Sequence, residues 1–395
     1  MKHQEYDQGG KCNNSSLEGI SVAEFKDRIL RTQSALADAD MVGLVAYADC
    51  WRGANVNYFT DIRPVDGIGE NAIALVLLPV DAEPSLFIGR ACLPWAESEN
   101  WFHAYPFDDL DDKLQAHANR WGHGRVGLAG GDWIPAKLHN RLKARLPGLE
   151  LETTQVLAKV KAVKSAAEIR LLRRAAELTD HAMAAIRETL ADRRPKSERE
   201  LARIADAAMI LEGADRTGYD SMVQVGPRSA FQLARPTDRI LKEGDLVMTD
   251  IGARYRGYVA DGGRGFTYGP VSADKVAIVD AAASAVEAGL AAVRPGITAS
   301  DLSTVVQRVL IDSGYGKFSE EARGRGSGHG TGMDPVEEVP LIMQGNTTVL
   351  VPDMVFTLKA TITVPEVGGL RIERIVRVTE SGGEALDAFP MRLHW

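Results

Sequence analysis

The sequence predicts an α/β domain followed by an α+β domain. Short apolar runs alternate with helical stretches over the first 155 residues, whereas long amphipathic helices and paired strands follow. With 395 residues, the chain is long enough to bury a core in each of two domains. The predicted divisions are a flexible leader over 1–20, a first domain over 21–157 and a second domain over 158–395.

Composition and net charge argue against several classes of partner and site. The net charge of -8 argues against a nucleic-acid partner, which would need a basic face. The polar N-terminus lacks the apolar segment of a secretory signal, and no apolar run is long enough to span a membrane. The three cysteines are widely spaced, which favours neither a disulfide framework nor a zinc site. We therefore expect a cytoplasmic protein with no nucleic-acid or membrane partner.

The first domain is predicted from β-rich runs among helical stretches, a rhythm typical of an α/β unit. These runs are 41–47, 72–80, 85–89, 124–130 and 149–154.

The second domain is predicted to begin with one long amphipathic helix from residue 155 to Met183. Capping boxes, in which a hydroxyl and an acidic side chain each bind a free backbone N–H, mark three helix starts. They are Ser165 with Glu168, Ser197 with Glu200, and Thr298 with Asp301. The strands are predicted to pair as 246–251 with 254–261 and as 354–364 with 370–379, which together with the helices indicates an α+β layout.

Asp250 and Asp261 lie on two of these strands, next to small residues that leave room for a ligand. Two carboxylates brought face to face repel each other unless positive charge lies between them, and a metal ion often supplies it. Each aspartate could instead cap a turn or pair with Arg254 or Arg264.

His329 and Glu373 are the other candidates. Glycines on both sides of His329 allow a close backbone approach and an open cleft, although a flexible loop or a phosphate-binding loop has a similar composition. Arg371 and Glu373 alternate to the same face of a predicted strand, where they could also form an ordinary surface ion pair.

Taken together, these residues resemble the creatinase/Xaa-Pro aminopeptidase (pita-bread) family. The matches are Asp250 with Asp261 eleven residues later, His329 in SGHGTG and Glu373 in GGLRIE. The resemblance covers roughly 155–395 and extends more weakly to 54–61. It implies a creatinase-type N-terminal α/β domain, a C-terminal pita-bread domain and a homodimer. It also implies two metal ions that share Asp261 and Glu373, one bound further by Asp250 and the other by His329.

The sequence departs from this family at three places. Lys359 stands where the family has its remaining glutamate ligand, Val336 stands where it has a histidine, and 225–239 lacks a further family histidine. An ammonium group repels a nearby cation, so we expect a degenerate metal site without a metal cofactor, in which Lys359 pairs with Asp261 and Glu373. The alternative is one divalent cation, Mn²⁺ or Mg²⁺, at Asp250, Asp261 and Glu373.

The residues expected to act on a small-molecule substrate follow from these matches. The proton carriers are expected to be His329, Glu373, Lys359 and Glu337, and the substrate-binding arginines to be Arg371, Arg264, Arg63 and Arg52.

The leading hypothesis is a creatinase-like hydrolase that cleaves a C–N bond of an amide, amidine or lactam without a metal. A metal-dependent Xaa-Pro dipeptidase or aminopeptidase is the alternative, against which the missing glutamate and histidines count. A lyase acting on a small zwitterion and a non-catalytic binding protein remain open, because a fold alone does not determine function.

Overall fold

The computed structural model describes residues 19–392. One six-stranded sheet organises the N-terminal part, and three further sheets organise the part that follows. This agrees with the predicted order of an α/β unit and an α+β unit. Most of the predicted leader over 1–20 lies outside the described residues, and the predicted domain boundary at 157/158 remains a prediction.

The helices are α1 (Val22–Asp38), α2 (Ala54–Asn57), α3 (Leu93–Glu99), α4 (Leu110–Trp121), α5 (Ala136–Arg145), α6 (Val156–Ala162), α7 (Ala166–Ala191), α8 (Glu198–Leu211), α9 (Ala273–Ala292) and α10 (Ala299–Asp312). The strands are β1 (Met41–Asp49), β2 (Ile73–Pro79), β3 (Ser85–Ile88), β4 (Ala104–Pro106), β5 (Gly124–Ala129), β6 (Leu149–Thr153), β7 (Arg216–Thr217), β8 (Met222–Val225), β9 (Leu246–Ile251), β10 (Ala253–Tyr255), β11 (Tyr258–Val259), β12 (Gly262–Thr267), β13 (Gly328–Gly330), β14 (Glu337–Ile342), β15 (Val355–Val364), β16 (Gly368–Thr379) and β17 (Gly382–Ala385).

The N-terminal sheet has the order β4-β3-β2-β1-β5-β6 and mixes parallel with antiparallel pairs. The five predicted β-rich runs correspond to β1, β2, β3, β5 and β6. Helices cover both faces. In β1, Leu44 belongs to the core that contains Leu36 of α1, and Val45 belongs to the core that contains Leu114 of α4. Burial on both faces explains why these strands are almost continuously apolar.

The long helix predicted from residue 155 is wrong, because the structure has two helices there, α6 and α7. Ser165 has extended dihedrals and caps α7, and its side chain and that of Glu168 each accept a hydrogen bond from the other residue's backbone N–H. An N-cap residue is not helical, so it starts a new helix instead of continuing the previous one. All three predicted capping boxes are present.

The predicted pairing of 354–364 with 370–379 is confirmed by β15 and β16. The predicted pairing of 246–251 with 254–261 is wrong. Strand β9 pairs with β12, with Gly263 opposite Asp250, and β10 with β11 forms a separate hairpin beside β7. The chain leaves β9 at Gly252 and enters β12 just after Asp261, so the two aspartates still lie close together.

The C-terminal sheets bring the candidate residues to one place. Ile372 of β16 belongs to the same core as Val286 of α9. Its neighbours Arg371 and Glu373 therefore point to the opposite face, toward β12. A Cβ atom added to Gly263 would lie 3.1 Å from both side chains, so a glycine is needed for this close approach. Among the described helices, none is long and apolar enough to cross a membrane.

Gly252 provides a test of this geometry. A Cβ atom there would overlap the carbonyl oxygen of Ala260, a backbone atom that cannot move aside alone. We expect Gly252→Ala to lower the free energy of unfolding by about 2–3 kcal/mol, measured by urea denaturation. Gly67→Ala is the control, because the added atom would meet nothing closer than 3.9 Å, and its effect should stay within about 0.5 kcal/mol. Equal effects of the two substitutions would contradict the close approach.

Candidate active site and metal centre

Three buried carboxylates form the centre of the candidate site. Asp250 is the second-last residue of β9, Asp261 precedes β12 and Glu373 lies in β16. Each offers an oxygen atom within 4.8 Å of the others. The expected cluster is therefore assembled from two sheets, although the predicted pairing of the first two strands was wrong.

The protein supplies too few hydrogen-bond donors for these carboxylates. The Tyr219 hydroxyl lies 2.7 Å from Asp250 Oδ1 and 2.6 Å from Asp261 Oδ1, but its single proton can serve only one of them at a time. Glu373 Oε2 is buried without a hydrogen-bond partner among residues 19–392. The cluster therefore needs protons or a cation at its centre.

The acid–base properties of the carboxyl groups agree with this conclusion. Burial and the neighbouring Asp250 charge raise the pKa of Asp261 to about 7. Burial and the charges of Asp261 and Asp250 raise the pKa of Glu373 well above its usual value. Both shifts express the cost of holding negative charges close together away from water.

His329 faces the same cluster. Its Nδ1 lies 3.1 Å from the carbonyl oxygen of Gly330, which can only accept, so Nδ1 carries the proton. Burial and the Lys359 cation lower the pKa of His329 to about 3, so the ring is neutral near pH 7. The lone pair of Nε2 then lies 3.3 Å from Asp261 Oδ2, a repulsive contact unless a proton or a cation lies between them.

The three carboxylates fit one divalent cation. Carboxylate oxygens are the ligands that Mn²⁺ and Mg²⁺ prefer, whereas imidazole is better suited to other transition metals such as Zn²⁺. The residues do not fit a second cation with its own carboxylate, because Lys359 lies directly opposite Glu373 in the pairing of β15 with β16. An ammonium group at this position repels a second cation and cannot act as a ligand while protonated.

Glu320 is a site residue that the sequence analysis missed. Its two oxygens bind two cations: Oε1 lies 2.6 Å from Arg371 and Oε2 lies 3.1 Å from Lys359 Nζ. Burial alone would raise the pKa of Glu320, but these two cations outweigh it and lower the pKa. Lys359 was expected to pair with Asp261 and Glu373, and its ion pair is with Glu320 instead.

Arg371 connects Glu320 to the cluster. Its guanidinium binds Asp250, and its Nε lies 3.8 Å from Glu373 Oε1. The expected substrate-binding role of Arg371 remains a prediction, but its buried side chain is already committed to three carboxylates. Nothing in the spacing of the sequence marks Glu320 or Tyr219, because each is placed by a loop that folds back onto the sheets.

The other predicted site residues lie elsewhere. Glu337 is buried in an ion pair with Lys164, at 2.8 Å. Arg264 binds Asp387 at 2.6 Å and several backbone carbonyls, and thereby ties the C-terminal segment to β12. Arg63 pairs with Asp61 and Asp215. Their proposed roles in proton transfer and substrate binding remain predictions that these contacts do not favour.

Arg52 lies nearer the site. Its guanidinium stacks 5.0 Å from the Trp133 ring centre and lines a second cavity, which shares Tyr219, Pro335 and Val336 with the cavity above the carboxylates. Arg52 therefore lies beside the cavity above the carboxylates, and its role in substrate binding remains a prediction.

The cavity above the carboxylates has a volume of about 370 Å³. Its floor is formed by the charged residues described above. Its walls are largely apolar, and Arg325 lies among the lining residues. The apolar lining residues are Met222, Leu233, Pro335, Val336 and Leu341.

Comparisons with known proteins agree with this geometry. Residues 170–380 match the model of metallopeptidase family M24. The chain belongs to metallopeptidase family M24. A Pyrococcus furiosus Xaa-Pro dipeptidase is 33% identical over 334 residues, which cover 84% of this chain and 90% of that protein. A Mycobacterium bovis probable dipeptidase PepE is 31% identical over 378 residues, 93% of this chain and 96% of that protein.

Other matches are shorter in sequence or more distant. A Pyrococcus horikoshii Xaa-Pro dipeptidase is 31% identical over 231 residues, and the matched segment spans 64% of that protein, just under two thirds of its length. Among solved structures, the dipeptidase PepE from Mycobacterium ulcerans superposes with a TM-score of 0.82 at 28% identity, over 95% of this chain and 99% of that chain. The prolidase from Pyrococcus horikoshii superposes with a TM-score of 0.80 at 24% identity, over 93% of this chain and 99% of that chain.

These matches confirm the family and the fold that the sequence predicted, an N-terminal α/β domain followed by a pita-bread domain. Family M24 also confirms the expected class of reaction, hydrolysis of a C–N bond, here a peptide bond. They do not show the degenerate metal site. A metallopeptidase family implies a divalent metal, and the buried cluster of Asp250, Asp261 and Glu373 is the place that suits one.

The raised pKa values make cation binding pH-dependent in a defined direction. Asp261 and Glu373 hold protons near neutrality in the metal-free protein, and a bound cation must displace them. We expect Mn²⁺ binding to release protons and its affinity to rise from pH 6 to pH 8. Calorimetric titrations in two buffers of different ionisation enthalpy would measure the protons released. An affinity that falls over this pH range would contradict the argument.

Proposed function

We propose that this protein is a dipeptidase that hydrolyses the C–N bond of a short peptide with a C-terminal proline, using one divalent cation. The observation that carries the proposal is the buried cluster of Asp250, Asp261 and Glu373, in which Glu373 Oε2 has no hydrogen-bond partner among the described residues. The names of the relatives, Xaa-Pro dipeptidase and probable dipeptidase, support the substrate class. The size of the cavity and its apolar walls suit a pyrrolidine ring.

Asp250, Asp261 and Glu373 would hold the cation, and His329 Nε2 lies beside them, 3.3 Å from Asp261 Oδ2. A divalent cation there would supply Lewis-acid polarisation of the scissile carbonyl. It would also relieve the repulsion among the carboxylates and between His329 and Asp261.

The chain's own charges complete the site. Lys359 and Arg371 place two cations beside the carboxylates, and Glu320 holds both in position. Fixed cations near the reacting carbonyl stabilise the negative charge that develops on its oxygen, because they need no reorganisation during the reaction. Lys359 thereby replaces part of the positive charge that a second metal ion would bring.

A second candidate function is metal-free hydrolysis of an amide, amidine or lactam, as the sequence analysis placed first. The position of Lys359 opposite Glu373 favours it. In that case the raised pKa of Glu373 would let its carboxyl group keep a proton at neutral pH and protonate the leaving nitrogen. The same Lys359 charge serves both candidates, so metal content distinguishes them.

We propose in addition that the protein is a homodimer in the cytoplasm, as the family resemblance implies. Light scattering coupled to size-exclusion chromatography would measure the mass of the assembly. A monomer would remove the homodimer from the proposal.

The dipeptidase proposal predicts about one divalent cation per chain by elemental analysis, and Mn²⁺-dependent hydrolysis of Ala-Pro. Glu373→Gln keeps the shape of the side chain but removes a charge, so it should lower both cation affinity and kcat/KM at least about 100-fold. Arg323→Ala, a change outside the cavity lining, is the control. Less than about a tenth of an equivalent of metal, with turnover of a lactam or amidine, would replace the dipeptidase by the second candidate.

Lys359→Glu tests whether the charge of Lys359 prevents a second cation from binding. A carboxylate at this position would face Glu373 and complete a second ligand set with Asp261 and His329, so the stoichiometry should rise from about one cation per chain to about two. Lys359→Met removes the charge without adding a ligand and should leave it at about one. A value that stays at one for Lys359→Glu would show that residue 359 does not limit the second site.

A further inference from the structure

A further cavity lies between the segment 49–66 and the strands β7 and β10, and we call it the arginine cavity. Its volume is about 190 Å³. Its lining includes Arg63, Arg216 and Arg254, and it shares no lining residue with the cavity above the carboxylates. Pockets for larger ligands span roughly 300–1,000 Å³, so this cavity suits a small ion or molecule.

Arg216 and Arg254 bring two like charges together. They lie directly opposite each other in the antiparallel pairing of β7 with β10. Like charges at such positions destabilise the pairing of two strands. No carboxylate among residues 19–392 forms an ion pair with either guanidinium group. An anion bound beside both arginines would remove this repulsion.

The buried side chain of Arg254 has an unused hydrogen-bonding edge. Only 6% of the residue is exposed, and its Nη1 donates to the carbonyl oxygens of Gly257 at 3.0 Å and Met333 at 2.8 Å. Its Nε and Nη2 are buried without a hydrogen-bond partner in the described part of the chain. These two nitrogens form the edge of a guanidinium that binds a carboxylate or a phosphate through two parallel hydrogen bonds. Charged donors left unpaired away from water are costly, so this edge suits an oxyanion.

The surrounding charges increase the demand for an anion. Burial lowers the pKa of Arg254 to about 10, and the charges of Arg216 and Arg63 act in the same direction, against the charge of Asp334. The Nε of Arg63 is also buried and has no hydrogen-bond partner among the described residues. Three guanidinium groups therefore share one cavity, and two of them have unpaired buried donors.

The carboxylates that line the arginine cavity are bound by other groups or exposed. Asp49 Oδ1 accepts hydrogen bonds from two backbone N–H groups. Asp215 Oδ2 accepts from Arg63 at 3.4 Å and from the backbone N–H of Gly257 at 3.2 Å. Asp66 is exposed to solvent. None of these carboxylates pairs with the Nε or the Nη2 of Arg254.

We propose that the arginine cavity binds a small oxyanion, a phosphate or a carboxylate group, on Arg254 and Arg216. Arg254 would hold two oxygens of the ion through its Nε and Nη2, and Arg216 would supply a second positive charge from the opposite strand. The bound ion would stabilise the pairing of β7 with β10. The site is separate from the carboxylate cluster and does not depend on the proposed function.

Cys50 provides a local readout, because it lines the arginine cavity and its carbonyl oxygen accepts a hydrogen bond from Arg216. Alkylation of the thiol by iodoacetamide would be measured on the whole protein by mass spectrometry of the Cys50 peptide, at an ionic strength held constant with sodium chloride. We expect inorganic phosphate or acetate to slow this alkylation saturably, about tenfold at ten times its Kd. The ion that protects at the lower concentration identifies the oxyanion as a phosphate or a carboxylate.

Substitutions assign the protection to the two arginines. Arg216→Met removes one charge, and Arg254→Lys keeps the charge but cannot make two parallel hydrogen bonds, so each should raise the Kd of the ion at least about tenfold. Arg174→Met is the matched control, because Arg174 pairs with Glu177 outside the cavity. Lys359→Met removes a cation from the cavity above the carboxylates, and both of these variants should keep the protection.

The outcomes decide the assignment. Protection that is lost in Arg216→Met and Arg254→Lys but kept in both controls would support the oxyanion site. Equal protection of the wild-type protein and Arg216→Met, loss of protection in Lys359→Met, or no protection by either ion would overturn it. Thermal unfolding without added ion would show whether each variant folds, and if one fails to fold, the other carries the test. Because no step requires hydrolysis, the result is independent of the dipeptidase proposal.

Discussion

The site depends on one constraint, the proximity of three buried carboxylates. Like charges within 4.8 Å of one another, away from water, cost free energy that the protein must offset with protons, cations or hydrogen bonds. Tyr219 and Arg371 offset part of this cost, and the remainder appears as the raised pKa values of Asp261 and Glu373. A group of buried carboxylates with too few hydrogen-bond donors and neighbouring cations is suited to binding a divalent cation.

The charged side chains around the cluster form a series of consecutive ion pairs. Asp250 binds Arg371, Arg371 binds Glu320, and Glu320 binds Lys359. Glu320 therefore has two consequences. It binds the Lys359 ammonium, which lies opposite Glu373 in the strand pairing, and it holds the Arg371 guanidinium beside Asp250. A buried ion pair of this kind is useful for position more than for stability, because desolvation offsets most of its attraction.

The cavity above the cluster combines three kinds of surface. Negative charge and a cation-binding centre lie at the floor, apolar side chains form the walls, and Arg325 lies at the mouth. Arg264 and Arg371, which the sequence predicted to bind substrate, are already bound by carboxylates and carbonyl groups of the protein, and their role in substrate binding remains a prediction.

The sequence by itself determined the order of the two domains, the three helix caps, the pairing of β15 with β16 and the matched residues Asp250, Asp261, His329 and Glu373, because these depend on local patterns and spacing. Only the tertiary structure decided which strands flank Asp250, which carboxylate holds Lys359 and which arginines line the cavity. Tyr219, Glu320 and Arg325 reach the site through loops, and contacts between segments far apart in sequence leave no periodic signal. The physical reason is that charge pairing is decided by distance in space, whereas the sequence shows only distance along the chain.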